Sequence, residues 1–180
     1  FYAKILLFGE YGIIKDSKGL AIPFNAFKGA LRFPENTSSE IASSNTHLKN
    51  YAAYLKNQVA EQCLDVSFDF ERLDADLEKG MYFDSSIPMG YGVGSSGAIV
   101  AAIYDRYADE KVSVLGSLTR EKLLVLKGQF AIMESHFHGT SSGLDPLNSY
   151  LSLPILIHAK DHVESTPIPA ASILATKLSI

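Results

Sequence analysis

The segment Pro88-Met89-Gly90-Tyr91-Gly92-Val93-Gly94-Ser95-Ser96-Gly97-Ala98 runs straight into the apolar stretch Ile99-Val100-Ala101-Ala102-Ile103-Tyr104, and no other feature constrains the fold as much. Gly90, Gly92 and Gly94 permit positive φ and let a ligand approach the backbone without meeting a Cβ. The helix expected next points its unpaired first-turn N–H groups at the same spot, which makes an anion site. A glycine-rich turn alone is also what any tight strand-to-helix connection uses. The serine pair adds weight, because Ser95 and Ser96 fall where an N-cap or first-turn hydroxyl can bond a phosphate oxygen, a magnesium ion or a backbone N–H. With no Gly-Lys-Ser/Thr ending and no G-x-G-x-x-G spacing, the segment is neither a Walker loop nor a dinucleotide fingerprint.

Composition narrows the partner. At 180 residues, 47% hydrophobic and 20% charged, the chain is an ordinary globular protein of one domain or one and a part. Its net charge of -4 and pI near 5.7 argue against nucleic acid, and no Lys/Arg stripe offers the contacts that a phosphate backbone needs. The expected partner is a small molecule, and a homodimer stays open. A single cysteine, Cys63, excludes an intramolecular disulfide framework, the opening residues lack a signal peptide, and no apolar run reaches the roughly 18–20 residues of a membrane span. A cytoplasmic location without membrane contact is therefore expected. Because the chain opens on Phe1 with a strand almost at once, it reads as a fragment or a trimmed piece.

Short apolar runs predict strands at Ala3–Phe8, Gly19–Phe24, Phe27–Phe33 and Met81–Ile87, with Pro23 and Asn25 dividing the second from the third. Val66, Phe68 and Phe70 alternate with polar residues, which predicts a half-exposed strand. Asn36–Asn45, dense in Ser, Thr and Asn, reads as a surface loop, and Leu48–Cys63 as a helix packing Leu48, Tyr51, Leu55, Val59 and Cys63 on one side. A second amphipathic helix starts after Thr119 and carries Leu123, Leu126, Phe130, Met133 and Phe137, ending at Gly139. A polar turn, Thr140-Ser141-Ser142-Gly143, then leads to Leu144-Asp145-Pro146.

Three charged residues stand out, each with a plain alternative. Lys4 interrupts an apolar strand, where it could simply face solvent. Glu134 lies beside a buried helix stripe, where it could pair with His138 one turn on. Asp145 follows a glycine turn, where it could be a cap. Together they supply what phosphoryl transfer to an alcohol needs: a loop for the phosphates, an acid and a hydroxyl for Mg²⁺, a carboxylate for the hydroxyl proton and a nearby cation. His136 and His138, two apart on a helix, point to different faces and make no zinc site.

The opening Ala3-Lys4-Ile5-Leu6-Leu7-Phe8-Gly9-Glu10-Tyr11-Gly12, the Pro88–Ala98 loop, and Glu134 with His138-Gly139-Thr140-Ser141-Ser142-Gly143-Leu144-Asp145 resemble the GHMP small-molecule kinases, the mevalonate kinase branch most closely. The likeness spans Lys4 to about Leu153, with the motifs in the family's order. It implies an α+β N-terminal domain over residues 1–165, with an unusual left-handed β-α-β crossover, and a tail at 166–180 that begins a ferredoxin-like C-terminal domain largely absent from this chain. It implies ATP and Mg²⁺ as cofactors, and Gly90, Gly92, Gly94, Ser95, Ser96 and Gly97 at the triphosphate. Ser96 and Glu134 match the Mg²⁺ ligands, Asp145 the catalytic base, Lys4 its lysine partner, and Glu10 and Tyr11 the acceptor pocket.

This chain departs from the pattern in places. Tyr11 stands where mevalonate kinases usually have His and looks more like phosphomevalonate kinase, Gly97 replaces the usual Ala, and Pro146 the usual Asn. The expected reaction is ATP-dependent phosphorylation of mevalonate. A phosphomevalonate or sugar kinase of the same family and a non-catalytic nucleotide- or metabolite-binding homologue are the alternatives. Near the motifs Lys4 is the one clear cation, with Lys15 and Lys28 as auxiliaries, and that scarcity favours an unphosphorylated acceptor.

Overall fold

The computed structural model describes residues 1–8, 18–113, 118–159 and 162–165. The elements run β1 (Tyr2–Phe8), β2 (Gly19–Arg32), α1 (Ser39–Ala60), α2 (Phe70–Glu78), β3 (Tyr82–Ser85), α3 (Ser95–Tyr107), α4 (Arg120–His138), α5 (Leu144–Leu151), β4 (Ile155–Ala159) and β5 (His162–Ser165). This is an α+β chain. Its sheet has the order β1-β2-β4-β5 with β3 also on β2, and every one of these pairings is antiparallel.

The two strands expected on either side of Pro23 are one strand. Lys4 faces Pro23 across the β1–β2 ladder but donates its N–H to Val93 O at 3.0 Å instead, so this is a non-hydrogen-bonded pair and Pro23 forfeits no bond to β1. On the far side of β2, β4 pairs only with Gly19–Ala21. The missing proline donor thus falls where the ladder does not call for one.

Two further expectations are corrected. The Ser/Asn-rich stretch is mostly helix: Ser38 caps α1 by accepting from Ile41 N, and Glu40 lies in the first turn. Ser44 and Asn45 turn toward β3 and the residue before it, with Phe83 N donating to Ser44 Oγ at 3.1 Å and Asn45 Nδ2 donating to Met81 O at 2.7 Å, while Ser39 and Ser43 stay exposed. Cys63 lies beyond the helix and is exposed. The alternating run at Val66–Glu71 does not form a strand either, because Asp69 caps α2, accepting from Arg72 N at 2.9 Å, and leaves only an isolated bridge between Phe68 and Ala108. A local cap outweighs three alternating apolar residues.

α3 sits at the centre. Ala98, Val100, Ala101, Ala102, Ile103, Tyr104 and Tyr107 are all buried, so most of the helix surface is covered, and its alanines let neighbours approach closely. Tyr104, Phe130 and Tyr150 meet edge to face with centroids 5.0–5.7 Å apart and tie α3, α4 and α5 together. In the same last turn of α3, Asp76 accepts from Tyr107 Oη at 2.8 Å and Arg106 Nη2 at 3.0 Å, anchoring α2. Burial alone would raise the Asp76 pKa, but these bonds outweigh it and hold the carboxyl below its usual range.

Candidate active site

The bond from Lys4 N to Val93 O ties the glycine loop to the outer side of β1. Gly94, at φ +81, is the N-cap of α3, and a Cβ there would lie 3.0 Å from Lys4 Cγ, so the lysine stem runs over the loop where only glycine fits. The cap makes no side-chain hydrogen bond, leaving first-turn N–H groups open at this end. Ser95 and Ser96 are therefore first-turn residues rather than caps. At Gly90 and Gly92, both with positive φ, the space a Cβ would take is open. A backbone cradle over an uncapped helix start suits a phosphate chain.

Across the loop, Lys4 Nζ lies 3.0 Å from Asp145 Oδ1, with side chains 13% and 30% exposed. The solvent-facing reading of Lys4 does not hold, because β1 turns this side chain under the start of α5. That start is wedged: a Cβ on its N-cap, Gly143, would lie 2.1 Å from Lys127 O of α4, and one on Gly97 would lie 2.7 Å from Pro146 N. Asp145 is thus a first-turn residue fixed between two helices, not a loose turn residue.

Glu134 is only 4% exposed. Ser96 Oγ donates to its Oε1 at 2.9 Å and Ser141 Oγ donates to its Oε2. Its expected pairing with His138 is replaced by a contact one atom further out, His138 Nε2 lying 3.0 Å from Ser96 Oγ. Burial raises the Glu134 pKa, the Ser141 bond opposes that shift, and the charge of Asp145 adds to it. None of the described ion pairs includes Glu134. A buried carboxylate with two hydroxyl donors and no cation is costly, and this oxygen-only set suits a hard divalent ion. Among the described residues, no cluster of three or more His, Cys, Asp or Glu could hold a metal by itself.

Ser96, His138 and Asp145 meet in a cavity of about 620 Å³ beneath the glycine loop. His47, Met89, Ser95, Ile99 and Phe137 are shared with an adjoining cavity of about 610 Å³, walled by Ser43 and Ser44 of α1 and by Phe83 and Ile87. Tyr51 also lines that annex; its hydroxyl is buried and has no hydrogen-bond partner. Burial pushes this phenol well above its usual range, with the Glu134 charge adding, so it is held as a neutral donor. Lys28 lines a different cavity with Arg32. Glu10, Tyr11 and Lys15 lie outside the described residues, as does the tail at 166–180. Sequence reasoning missed Ser141, His138 and Tyr51 as site residues: the first read as turn, the second as a helix-end histidine, the third as packing.

A glycine cradle at an uncapped helix start lies beside a lysine–aspartate pair and a buried glutamate that has no ion pair among the described residues, an arrangement that suits phosphoryl transfer. Residues 52–152 match the family model described as GHMP kinases N terminal domain, a span that includes the loop, Ser96, Glu134 and Asp145. The chain belongs to the GHMP kinase family, and so to the ATP-dependent kinases of small molecules. The matched span begins after β1, so Lys4 joins the site through tertiary contact alone. No curated protein matches the chain. Among the described residues, no helix is long and apolar enough to cross a membrane.

Proposed function

We propose that this chain carries the phosphate site and the catalytic pair of a kinase that phosphorylates the hydroxyl of mevalonate. The observation that carries the reading is the 3.0 Å contact of Lys4 Nζ with Asp145 Oδ1 at the mouth of the glycine cradle. An alcohol is a weak nucleophile near neutral pH, and a positioned carboxylate that takes its proton contributes about 10²- to 10⁴-fold. Asp145 is the group for that proton. Lys4 keeps one Asp145 oxygen oriented and leaves the other to face the acceptor, and its ammonium is close enough to steady charge on a transferring phosphoryl group.

Ser96 and Glu134 would hold Mg²⁺, with phosphate oxygens and water completing the shell, since two protein oxygens do not make a closed site. When bound, the ion neutralises phosphate charge and orients the phosphoryl group for in-line transfer. The loop N–H groups bind the phosphates, and the apolar annex with its serine wall takes the nucleoside. Choice of acceptor rests on charge. Among the described residues lining the main cavity there is no Lys or Arg, only His47, His136 and His138 beside the acid. A phosphorylated acceptor calls for cations of its own, so this supports mevalonate over phosphomevalonate.

The test is an ADP-release assay on the full-length protein with mevalonate, phosphomevalonate, galactose and homoserine in parallel. We expect kcat/KM for mevalonate to exceed the others by at least about tenfold. Preference for another acceptor overturns the named substrate, and turnover of none with ATP still bound favours a binding protein.

A further inference from the structure

We infer that His138 is a positioning residue for Ser96, holding that hydroxyl by an Nε2–H hydrogen bond so that its proton points to Glu134 and its free lone pair points into the cavity. The inference deepens the proposed metal role of Ser96 and Glu134 and rests on it. A serine hydroxyl has one proton and two lone pairs. Ser96 Oγ has two partners within bonding distance, Glu134 Oε1 at 2.9 Å and His138 Nε2 at 3.0 Å. An ionised Glu134 can only accept, so the Ser96 proton goes to it. The contact with His138 then needs a hydrogen on Nε2, which in the neutral ring is the Nε2–H tautomer, and it uses one lone pair of Ser96. The remaining lone pair is aimed away from both partners, toward the cavity that Ser96 and His138 both line.

The surroundings fit a device of this kind. His138 is the last residue of α4, one turn beyond Glu134, so a single helix delivers both groups that Ser96 touches. Gly139, at φ +74, ends the helix immediately afterward and lets the chain return with Ser141 to the second Glu134 oxygen. The Ser96 side chain is therefore held from α4 at the same end of α3 where the glycine loop opens its N–H groups. Without His138, Ser96 Oγ is held by Glu134 alone, and one contact instead of two keeps the side chain in its χ1 well, so the hydroxyl is less firmly placed. Partners that orient a metal-binding group typically change metal affinity by about 10- to 100-fold when removed.

The experiment measures ADP affinity by isothermal titration calorimetry on the full-length protein, with excess Mg²⁺ and with EDTA; the ratio of the two dissociation constants reads the metal site alone. His138→Ala is expected to lower that ratio by about tenfold or more while leaving the EDTA value within about twofold. His138→Gln, which restores an N–H donor at similar reach, should recover most of the loss. An unchanged ratio in His138→Ala, or loss in the EDTA value as large as in Mg²⁺, overturns the inference, as does failure of the glutamine to rescue. Ser96→Ala and Glu134→Gln separate the two levels: if they lose the Mg²⁺ ratio and His138→Ala does not, only the histidine's role falls; if none loses it, the metal reading falls with it. Long-range ¹H–¹⁵N spectra of labelled histidine give an independent readout. We expect His138 in the Nε2–H form in the ligand-free protein, reverting to a tautomer mixture in Ser96→Ala, and an Nδ1–H form in the wild type overturns the proposal.

Discussion

Replacing Gly97 by alanine adds one methyl group at the point where α3 and the start of α5 touch. An alanine Cβ there would stand 2.7 Å from both Asp145 C and Pro146 N and 2.9 Å from Asp145 Cβ, against an ordinary contact of at least 3.4 Å. The helices must part by about 0.7 Å to reach that distance, and the atoms in the way are main chain, which has no rotamer to yield. Two effects compete. Alanine is favoured over glycine within a helix by about 1 kcal/mol. Overpacking a rigid contact costs about 1–3 kcal/mol, and backbone against backbone belongs in the upper half of that range. The net expectation is a loss of about 1–2 kcal/mol, a fall in Tm of about 3–6 °C for a chain of this size. The displaced residue is Asp145 itself, so kcat should fall by about 10- to 100-fold from misplacement of the carboxylate. Gly128 is the control, being in mid-α4 with nothing near its Cβ position, and alanine there should stabilise by about 0.5–1 kcal/mol. Differential scanning fluorimetry and steady-state kinetics on both variants decide the matter. If Gly97→Ala is as stable as Gly128→Ala, the close-approach argument is wrong.

Asp145→Asn keeps the size of the side chain but removes the proton acceptor, so kcat should drop by about 10²- to 10⁴-fold with ATP affinity nearly unchanged; stopped-flow turnover at saturating acceptor checks it. Glu134 gives a pH signature. Because its pKa is raised in the folded state, the native protein binds more protons than the unfolded chain between the two values, so its contribution is complete below the unfolded pKa and is lost as pH rises through the folded one. Urea unfolding of the ligand-free protein from about pH 4 to about pH 7 should therefore show a decline in stability that Glu134→Gln flattens. The same variant should lose the Mg²⁺-dependent part of stabilisation by ADP, and retention of both effects would count against Glu134 as the buried acid.

Legibility in the sequence followed the range of the interaction involved. The glycine loop, the helix that begins at Ser95, and α4 from its Thr119 cap to Gly139 were all readable, because caps, positive-φ glycines and a sustained helical stripe act over one or two turns. The helical character of residues 39–45 was not, since Ser44 and Asn45 gain their partners at Phe83 and Met81, nearly forty residues away in sequence. Nor was the continuity of β2 through Pro23, which depends on which side of the strand lacks a neighbour. The α2 cap at Asp69 was a local signal, but alternation of three apolar residues concealed it.

For the site, the kinds of groups were legible in the sequence: hydroxyls, two acids, a lysine and a glycine-rich loop, in an order that resembles one kinase family. It could not say that they meet. Lys4 and Asp145 are separated by most of the chain, and a lysine on an alternating strand looks the same whether it faces water or a carboxylate. What decided the question was the packing of α5 between α3 and α4, where the bare backbones of Gly97 and Gly143 let the helix start come close enough to bring Asp145 beneath the loop. Burial of Glu134 was decided in the same way, since one turn of α4 either faces water or faces Ser96 according to how the helices cross. Local chemistry is written in neighbouring residues, whereas distance and burial are set by close packing across the whole core, to which every element contributes at once.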